Sequence, residues 1–393
     1  MNPKNTQLNR RNFLGGFGAL GLGASLTSIC SADPFMNYKG LKNLGPLNAP
    51  DSLGIRLPDG FTSKKVAESG YKVRRANGEK TNYRWHGAPD GGACFPTDDG
   101  GWIYTSNAEL NGNGGAGALR FSSNGELIDA YPILENTDRN CAGGLTPWGS
   151  WLSCEEVDRG RVFECDIYGR GAQLCKGLGY FKHEAVAIDP VDQQAYLTED
   201  EKDGLFYRFT PNTISSGVMN FDEGLLEAAE LDSNGNVTWH EVPNPTPELR
   251  DRATRHQVDE ASIFDGGEGI WYHQGQVFFT TKGDNRVWRY DIHSRTLGIT
   301  YDKKTSKNGI LSGVDNVTVS SDGHVLVAED GGDMQIVILG PFGDIYPLLQ
   351  IVDQDHSEIT GPAITSNNKH LYFSSQRGGR KGEGITYQIN GSF

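Results

Sequence analysis

Six segments of the chain share one pattern, a short apolar run, a polar turn and a second apolar run. Apolar runs separated by Gly, Pro, Asp or Asn turns indicate antiparallel hairpins. The segments are GGACFPTDDGGWIYTSN (91–107), TPWGSWLSCEE (146–156), HEAVAIDPVDQQAYLTED (183–200), GEGIWYHQGQVFFTTK (267–282), VDNVTVSSDGHVLVAED (314–330) and TGPAITSNNKHLYFSSQ (360–376). The second strands are predicted to begin near Trp102, Trp151, Ala195, Val277, Val325 and Leu371. A repeat of about 45 residues with several strands per unit predicts a β-propeller.

The repeat predicts an all-β fold, a six-bladed β-propeller with an insertion around 212–258. One interval, between the third and fourth hairpins, is about 80 residues long, which leaves room for either a seventh blade or an insertion. We interpret it as an insertion because that range holds mainly polar sequence. A sandwich of hairpins is the alternative fold, but a sandwich predicts no fixed period.

The N-terminus has the pattern of an export signal. Arg10 and Arg11 precede a glycine-rich, moderately apolar run from Phe13 to Leu26, which is typical of a twin-arginine signal peptide. We expect residues 1–32 to be this signal, 33–80 an N-terminal extension and 81–393 the propeller domain. The signal predicts the twin-arginine translocase as a partner and a periplasmic or secreted location.

The charge balance limits the partners of the chain. A formal net charge of -14 argues against a surface that binds nucleic acid or an anionic membrane. Beyond the signal, no segment is long and apolar enough to predict a membrane span. We expect a monomer that acts on a small molecule.

Five cysteines remain after the predicted signal, so at least one thiol is expected to be unpaired or bound to a metal. Cys165 and Cys175 flank a short loop and are the predicted disulfide. The alternative is a buried, inert thiol at each of these positions.

Acidic residues recur at the open ends of the hairpins. In a propeller, the start of the first strand and the end of the second strand of every blade lie on the same face of the molecule. That face would collect Glu155, Glu156, Glu184, Glu199, Asp200, Glu268, Asp315, Glu329 and Asp330. So many carboxylates in a confined space require a compensating cation, and oxygen ligands suit Ca²⁺. Any one of them alone would more often be a solvated loop residue.

Cys141 enters the second repeat directly before its first strand, so it is predicted to join this ring of acids. A thiolate beside carboxylates favours a softer transition metal, iron or zinc, next to the hard ion. A mixed-ligand site of this kind can activate water and neutralise a phosphate group. The ring would thus reconcile an acidic protein with an anionic substrate.

Several stretches resemble those of PhoX-type alkaline phosphatases. They are NCAGGLTPWGSWLSCEE, HEAVAIDP, YLTEDEKDGLFYRF, GEGIWYHQGQVFFTT and VDNVTVSSDGHVLVAEDGG, within about 80–380. The resemblance implies a six-bladed, twin-arginine-exported enzyme that hydrolyses phosphate monoesters, and in some members diesters, with iron and calcium cofactors. It also implies a set of metal ligands in this chain. Cys141 and Glu156 would bind iron, and the iron and calcium shells would be completed by Glu184, Asp200, Glu268 and Asp315, with Glu329 and Asp330 as further candidates.

The chain differs from the longer members of that family in its length and in the absence of one basic residue. Longer members carry a basic residue two positions before the glutamate of the fourth repeat, where this chain has Gly266. Lys282 and Arg377 lie at equivalent strand ends and are the candidate catalytic residues that could supply the missing positive charge. Each could equally be a surface residue.

Two other functions remain open at this level. A calcium-dependent, lactonase-type hydrolase could use the same propeller and channel mouth without a cysteine ligand. A non-catalytic binding propeller stabilised by calcium is the third interpretation.

Overall fold

The structure is a computed structural model that describes residues 40–42 and 44–393. The predicted signal peptide at 1–32 lies outside the described residues. No helix among the described residues has the length and apolarity that crossing a membrane requires.

The chain begins with four strands outside the predicted repeats, β1 (Ile55–Arg56), β2 (Thr62–Glu68), β3 (Lys72–Arg74) and β4 (Lys80–Arg84). Blade one consists of β5 (Pro89–Pro96), β6 (Trp102–Ala108), β7 (Gly114–Phe121) and β8 (Leu127–Thr137). Blade two consists of β9 (Asn140–Leu145), β10 (Ser150–Glu155), β11 (Val162–Asp166) and β12 (Ala172–Leu174). A short 3-10 helix, Lys176–Leu178, leads into the next blade.

Blade three contains β13 (His183–Asp189), β14 (Gln194–Glu199), β15 (Phe206–Pro211), the small hairpin β16 (Ile214–Ser215) and β17 (Val218–Met219), then β18 (Gly224–Leu231) and β19 (Val237–Glu241). A second 3-10 helix spans Thr254–His256. Blade four consists of β20 (Gly267–His273), β21 (Gln276–Thr281), β22 (Arg286–Asp291) and β23 (Thr296–Asp302). The predicted insertion at 212–258 thus holds the small hairpin and a long connection, but β18 and β19 within it are outer strands of blade three.

Blade five consists of β24 (Val314–Val319), β25 (Val325–Glu329), β26 (Gln335–Leu339) and β27 (Ile345–Ile351). Blade six consists of β28 (Ile359–Ile364), β29 (His370–Ser375) and β30 (Ile385–Asn390). The inner strands β5, β9, β13, β20, β24 and β28 contact one another in sequence and close a ring. The predicted six-bladed propeller is therefore confirmed.

Two strands from the predicted N-terminal extension complete the propeller. β2 pairs antiparallel with β30 and becomes the outer strand of blade six, and β1 pairs with β27 at the edge of blade five. The second and the last strand of the described residues therefore meet in one blade. This pairing covers the β30 edge, which would otherwise present unpaired backbone groups to other chains.

The hydrophobic core is divided among the interfaces between blades. Each of six clusters joins the facing sides of two neighbouring blades, for example Leu152 of blade two with Val186 and Tyr207 of blade three. Successive strand residues point to opposite faces, so Trp151 packs toward blade one while Leu152 packs toward blade three. Each sheet is covered on both faces by its neighbours.

The same alternation explains why the predicted disulfide between Cys165 and Cys175 is wrong. Both residues carry free thiols. Cys165 packs into the cluster between blades one and two, whereas Cys175 packs into the cluster between blades two and three. The two side chains lie on opposite faces of one sheet, a placement that a disulfide cannot span.

Candidate metal centre

A β-bulge in the inner strand of every blade places a side chain at the channel mouth. In blade one, Pro89 faces Ala108 and Gly92 faces Ser106, so two residues on β5 oppose one on β6. Equivalent irregularities occur in the other five inner strands. The first bulge residues in chain order are Asp90, Cys141, Glu184, Glu268, Asp315 and Gly361. Bulges redirect side chains locally, and here they direct four carboxylates and one thiol into the ring.

In four of the six blades a glycine or alanine follows at the second bulge position, and these small residues contribute to the floor of the centre. Gly91 packs so tightly that an added Cβ would lie 2.5 Å from Cα of Ala142, and one on Gly269 would lie 2.6 Å from Cα of Asn316. Real Cβ atoms do not approach other atoms so closely, so the converging strands require glycine at these two positions. The channel is therefore narrow below the bulge side chains.

A second ring comes from the residue directly after the second strand of each blade. Its members are Glu109, Glu156, Asp200, Lys282, Asp330 and Gln376. Because side chains alternate along a strand, the residue before each of these points away from the channel. The two rings together contain acids, one thiol and a few cations.

Three overlapping groups of side chains could each hold a metal ion. Within each group the ligand atoms lie within 4.8 Å of one another. The groups are Asp90–Glu109–Cys141, Cys141–Glu156–Glu184 and Glu184–Glu268–Asp315. Cys141 and Glu184 each belong to two groups, so the three candidate sites follow one another around the ring.

Glu184 is the strongest sign that a cation belongs here. Its side chain is fully buried, and neither carboxylate oxygen has a hydrogen-bond partner among the described residues. Burial raises the pKa of Glu184 well above its usual range, and the charges of Glu268 and Glu156 raise it further. A buried carboxylate without a partner is costly, and a bound cation removes that cost.

Other members of the centre also have raised pKa values. Burial raises the pKa of Glu268 and of Asp315 well above the usual range, with neighbouring carboxylates adding to it. Burial also raises the pKa of the Cys141 thiol, and Asp90 and Glu184 raise it further. The donor set of carboxylates with one thiol therefore fits bound cations, hard ions on the oxygens and a softer ion beside the sulfur.

Cations surround the rings on the solvent side. Nζ of Lys182 lies 2.9 Å from Oε1 of Glu156 and 2.8 Å from Oδ2 of Asp200. Nζ of Lys282 lies 3.0 Å from the same oxygen of Asp200 and 2.5 Å from Oε1 of Glu268. Burial acts to raise the pKa of Asp200, but Lys282 and Lys182 outweigh it, so the pKa is lowered.

Arginines complete this positive rim. Arg139 lies 2.9 Å from Oε2 of Glu156 and also contacts Glu109. Nη1 of Arg377 lies 2.7 Å from Oε1 of Glu358. Both sequence-predicted catalytic candidates, Lys282 and Arg377, thus face the channel mouth.

The structure explains why residue 266 is a glycine. Its φ is +67°, and a Cβ added there would lie 2.9 Å from Cγ of Lys282 and 3.5 Å from Oδ1 of Asp200. The Lys282 side chain therefore occupies the space that a side chain at 266 would need. Lys282, directly after β21, places a positive charge at this part of the mouth.

The predicted ligands separate into three sets. Five of them lie in the three groups: Cys141, Glu156, Glu184, Glu268 and Asp315. Asp200 and Asp330 lie at the mouth outside those groups, Asp200 paired with lysines and Asp330 bridged to Glu358 through the backbone. Glu329 points away and accepts hydrogen bonds from the backbone N–H groups of Ser312 (2.8 Å) and Gln335 (3.0 Å).

Sequence reasoning missed Asp90, Glu109 and Glu358. Asp90 precedes GGACF as Glu184 precedes AVAI, so an alignment of the repeats that began one residue earlier would have found it. Glu109 likewise follows β6 as Glu156 follows β10. Glu358 precedes the inner strand of blade six, whose bulge begins with Gly361, and no repeat position signals it.

Three buried polar side chains hold the bulges in place from the neighbouring blade. Thr280 Oγ1 donates to the carbonyl oxygen of Asp315 (2.5 Å), and Thr198 Oγ1 donates to that of Glu268 (2.5 Å). Asn107 Nδ2 donates to the carbonyl of Ala142, beside Cys141 (2.7 Å). The three donors occupy the same position in their blades, two residues before a member of the second ring.

We expect Thr280→Val to weaken cation binding about 10-fold, because hydrogen bonds that orient metal ligands typically contribute that much. The measurement is calcium titration calorimetry on metal-free protein. Thr280→Ser restores the donor and should restore affinity. Thr318→Val is the matched control, since Thr318 is buried on β24 and its hydroxyl has no partner among the described residues. Equal affinities for Thr280→Val and the unaltered chain would contradict the positioning role.

Comparison with known proteins assigns the chain to a family. The sequence profile described as "Alkaline phosphatase PhoX" matches residues 104–173 and 158–379. No curated protein sequence matches the chain. Among solved structures, PhoX from Pseudomonas fluorescens in complex with vanadate, a transition state analogue, is similar with a TM-score of 0.72 and 16% identity, covering 88% of this chain and 97% of that chain. XC5397 from Xanthomonas campestris, a gluconolactonase, has a TM-score of 0.49 and 10% identity over 89% of this chain and 99% of that chain.

The solved PhoX structure supports the propeller fold, and the profile covers more than half of the sequence, including every member of the two rings except Asp90. The chain therefore belongs to the PhoX family of alkaline phosphatases, which are phosphoric ester hydrolases.

Proposed function

We propose that this enzyme is an exported phosphatase that hydrolyses phosphate monoesters, with phosphate diesters as a second class of substrate, and that it binds iron and calcium at the channel mouth. The observation that carries the proposal is the buried Glu184 carboxylate, unpartnered between Cys141 on one side and Glu268 and Asp315 on the other. Cys141 with Glu156 and Glu184 would hold iron, because the set includes a thiolate. The all-carboxylate group Glu184–Glu268–Asp315 would hold calcium.

Metals in these groups would supply Lewis-acid activation of water and of the phosphoryl group. The residues of the chain have complementary tasks. Three cations lie beside the acids, Lys182, Lys282 and Arg139. Their N–H groups can donate hydrogen bonds to the oxygens of a phosphate dianion. The tightly packed floor narrows the channel below the bulges, so the reacting group would enter from the open mouth.

The lysines also stabilise the centre without metal. Each lies against carboxylates of the candidate groups, so in a metal-free chain they partly balance the buried negative charge. Bound cations would compete for those carboxylates and leave the lysine charges available to substrate. Exchange of lysine contacts from protein carboxylate to substrate phosphate would then couple metal loading to phosphate affinity.

The location follows from the N-terminal sequence. The paired Arg10 and Arg11 before an apolar run support export by the twin-arginine translocase to the periplasm or beyond. That route carries folded proteins, which suits a chain that acquires metal before export.

The test is elemental analysis together with hydrolysis of p-nitrophenyl phosphate by protein purified after native export. We expect iron and calcium in the protein and turnover without added zinc. Cys141→Ala should lose iron and activity together. Metal-loaded protein that is inert toward a panel of phosphate esters, or a Cys141→Ala variant with full activity, would contradict the proposal and favour a calcium-dependent lactonase chemistry.

A further inference from the structure

A cleft opens beside the channel mouth, between blades one, two and six. Its volume is about 640 Å³. Glu109, Arg139, Gln376 and Arg377 line both this cleft and the mouth, so the two spaces are continuous. The remaining walls come from loops that precede blade one and follow β6 and β29.

The cleft is far larger than a phosphate group requires. Pockets of roughly 300–1,000 Å³ are those that enclose whole organic ligands. A phosphoryl group held at the metal centre would occupy only the shared end. The rest of the volume is therefore available to the alcohol part of an ester.

One wall of the cleft, formed by Leu110, Trp85 and Ala88, is apolar and held in place. The Leu110 side chain lies across Gly87, where an added Cβ would be 3.3 Å from Cδ2 of the leucine. Trp85 lies beneath with its ring buried, and its Nε1 donates to Oγ1 of Thr386, so no polar atom of the indole remains for a ligand. Ala88 completes this wall.

The backbone of Leu110 is tied to the charged end of the cleft. Its carbonyl oxygen accepts a hydrogen bond from the backbone N–H of Arg139 at 3.0 Å. Its own N–H donates to the carbonyl of Ala108 at 2.9 Å. The apolar wall and the Arg139 guanidinium are thus set at a fixed spacing, as a ligand with one anionic and one apolar end requires.

We propose that this cleft is a leaving-group subsite that selects phosphate esters whose alcohol carries an apolar ring. The inference rests on the proposed phosphatase function. The ring would pack against Leu110 and Ala88 while Arg139 and Arg377 direct the phosphoryl group toward the metal centre. Small alkyl phosphates reach the same centre without using the apolar wall.

The test compares Leu110→Gln with the unaltered enzyme on two substrates, 1-naphthyl phosphate and methyl phosphate. We expect kcat/KM for the naphthyl ester to fall about 10-fold, which is what loss of a modest apolar contact produces, and kcat/KM for methyl phosphate to change less than about twofold. Because the variant and the unaltered enzyme are compared on the same substrate, the difference in intrinsic reactivity between the two leaving groups cancels. Inhibition by 1-naphthol should weaken in parallel.

Leu110→Ile is the matched control and should keep the preference. Leu110→Ala removes the contact without adding a polar group, and it should act in the same direction if the glutamine variant folds poorly. Equal losses on both substrates, or no loss on the naphthyl ester, would overturn the subsite while leaving the phosphatase proposal intact. If the metal-loaded, unaltered enzyme hydrolyses neither ester, the proposed function itself fails.

Discussion

Glu184→Gln is expected to abolish metal loading and to lower kcat for p-nitrophenyl phosphate by about 10³-fold or more, since metal stabilisation of the transition state is worth several kcal/mol. Glu184 belongs to two of the three ligand groups, so one substitution removes an anionic ligand from both. The measurements are metal content by elemental analysis and steady-state kinetics. Retention of both metals at full occupancy would contradict the assignment of Glu184 as a shared ligand.

The same substitution should raise the stability of the metal-free protein. Glu184 is a buried carboxylate with no hydrogen-bond partner among the described residues, and a neutral amide of similar shape is cheaper to bury. We expect the midpoint of thermal unfolding to be about 2 to 4 °C higher for the metal-free variant than for the metal-free parent. Asp192→Asn, on the exposed turn at the other end of the same hairpin, changes the charge equally and should alter neither metal content nor this midpoint.

Removal of metal is expected to reverse the pH dependence of stability. In the metal-free fold, burial raises the pKa of Glu184, Glu268 and Asp315 well above the unfolded values, and burial with the Asp330 charge raises that of Glu358 to about 7. These groups bind protons in the folded state at pH values where the unfolded chain does not. The stability that these carboxyl groups contribute therefore rises as the pH falls from above 7 toward 4.5 and is lost as the pH rises through the folded pKa values.

With metal bound the slope should have the opposite sign, because protons compete with the cations for the same carboxylates. The measurement is thermal unfolding at pH 8 and pH 7 for metal-free protein and for protein with excess calcium. The lowered pKa of Asp200 acts in the opposite sense at pH values below this window. The buried imidazoles of His86 and His183, whose pKa values burial lowers from 6.5 to about 3, also act in the opposite sense, chiefly below about pH 6.5. Metal-free protein that is less stable at pH 7 than at pH 8 would refute the expectation.

The inner part of the fold could be read from the sequence, and the outer part could not. Predicted starts of the second strands at Trp102 and Val325 coincide with those of β6 and β25. These strands are buried on both faces, so in the sequence they appear as apolar runs that are easily told from the polar turns beside them. The β2–β30 pairing joins residues more than 300 positions apart, and no hairpin of the repeat pattern marks β18 or β19 within the long third interval. Neither feature therefore has a local signal.

The site was partly predictable for the same reason. Recurrence of acids at equivalent strand ends identified Glu184 and Glu268 because the repeat fixes which face they share. Recurrence could not separate Glu329 from Asp330, since neighbouring residues of a strand point in opposite directions and only the pairing register decides which one faces the channel. The bulges that direct Asp90 and Cys141 inward arise from an extra residue in the inner strand, which the apolar pattern does not reveal.

The pairing of β2 with β30 has a consequence for how the enzyme is made. β2 finds its partner only after β30 has been synthesised, so blade six stays incomplete until then. Arg377 and Gln376, which border the metal centre, also belong to blade six. A nascent chain therefore has neither a complete sixth blade nor a complete rim until this blade has been synthesised, and only then can it finish folding and retain metal.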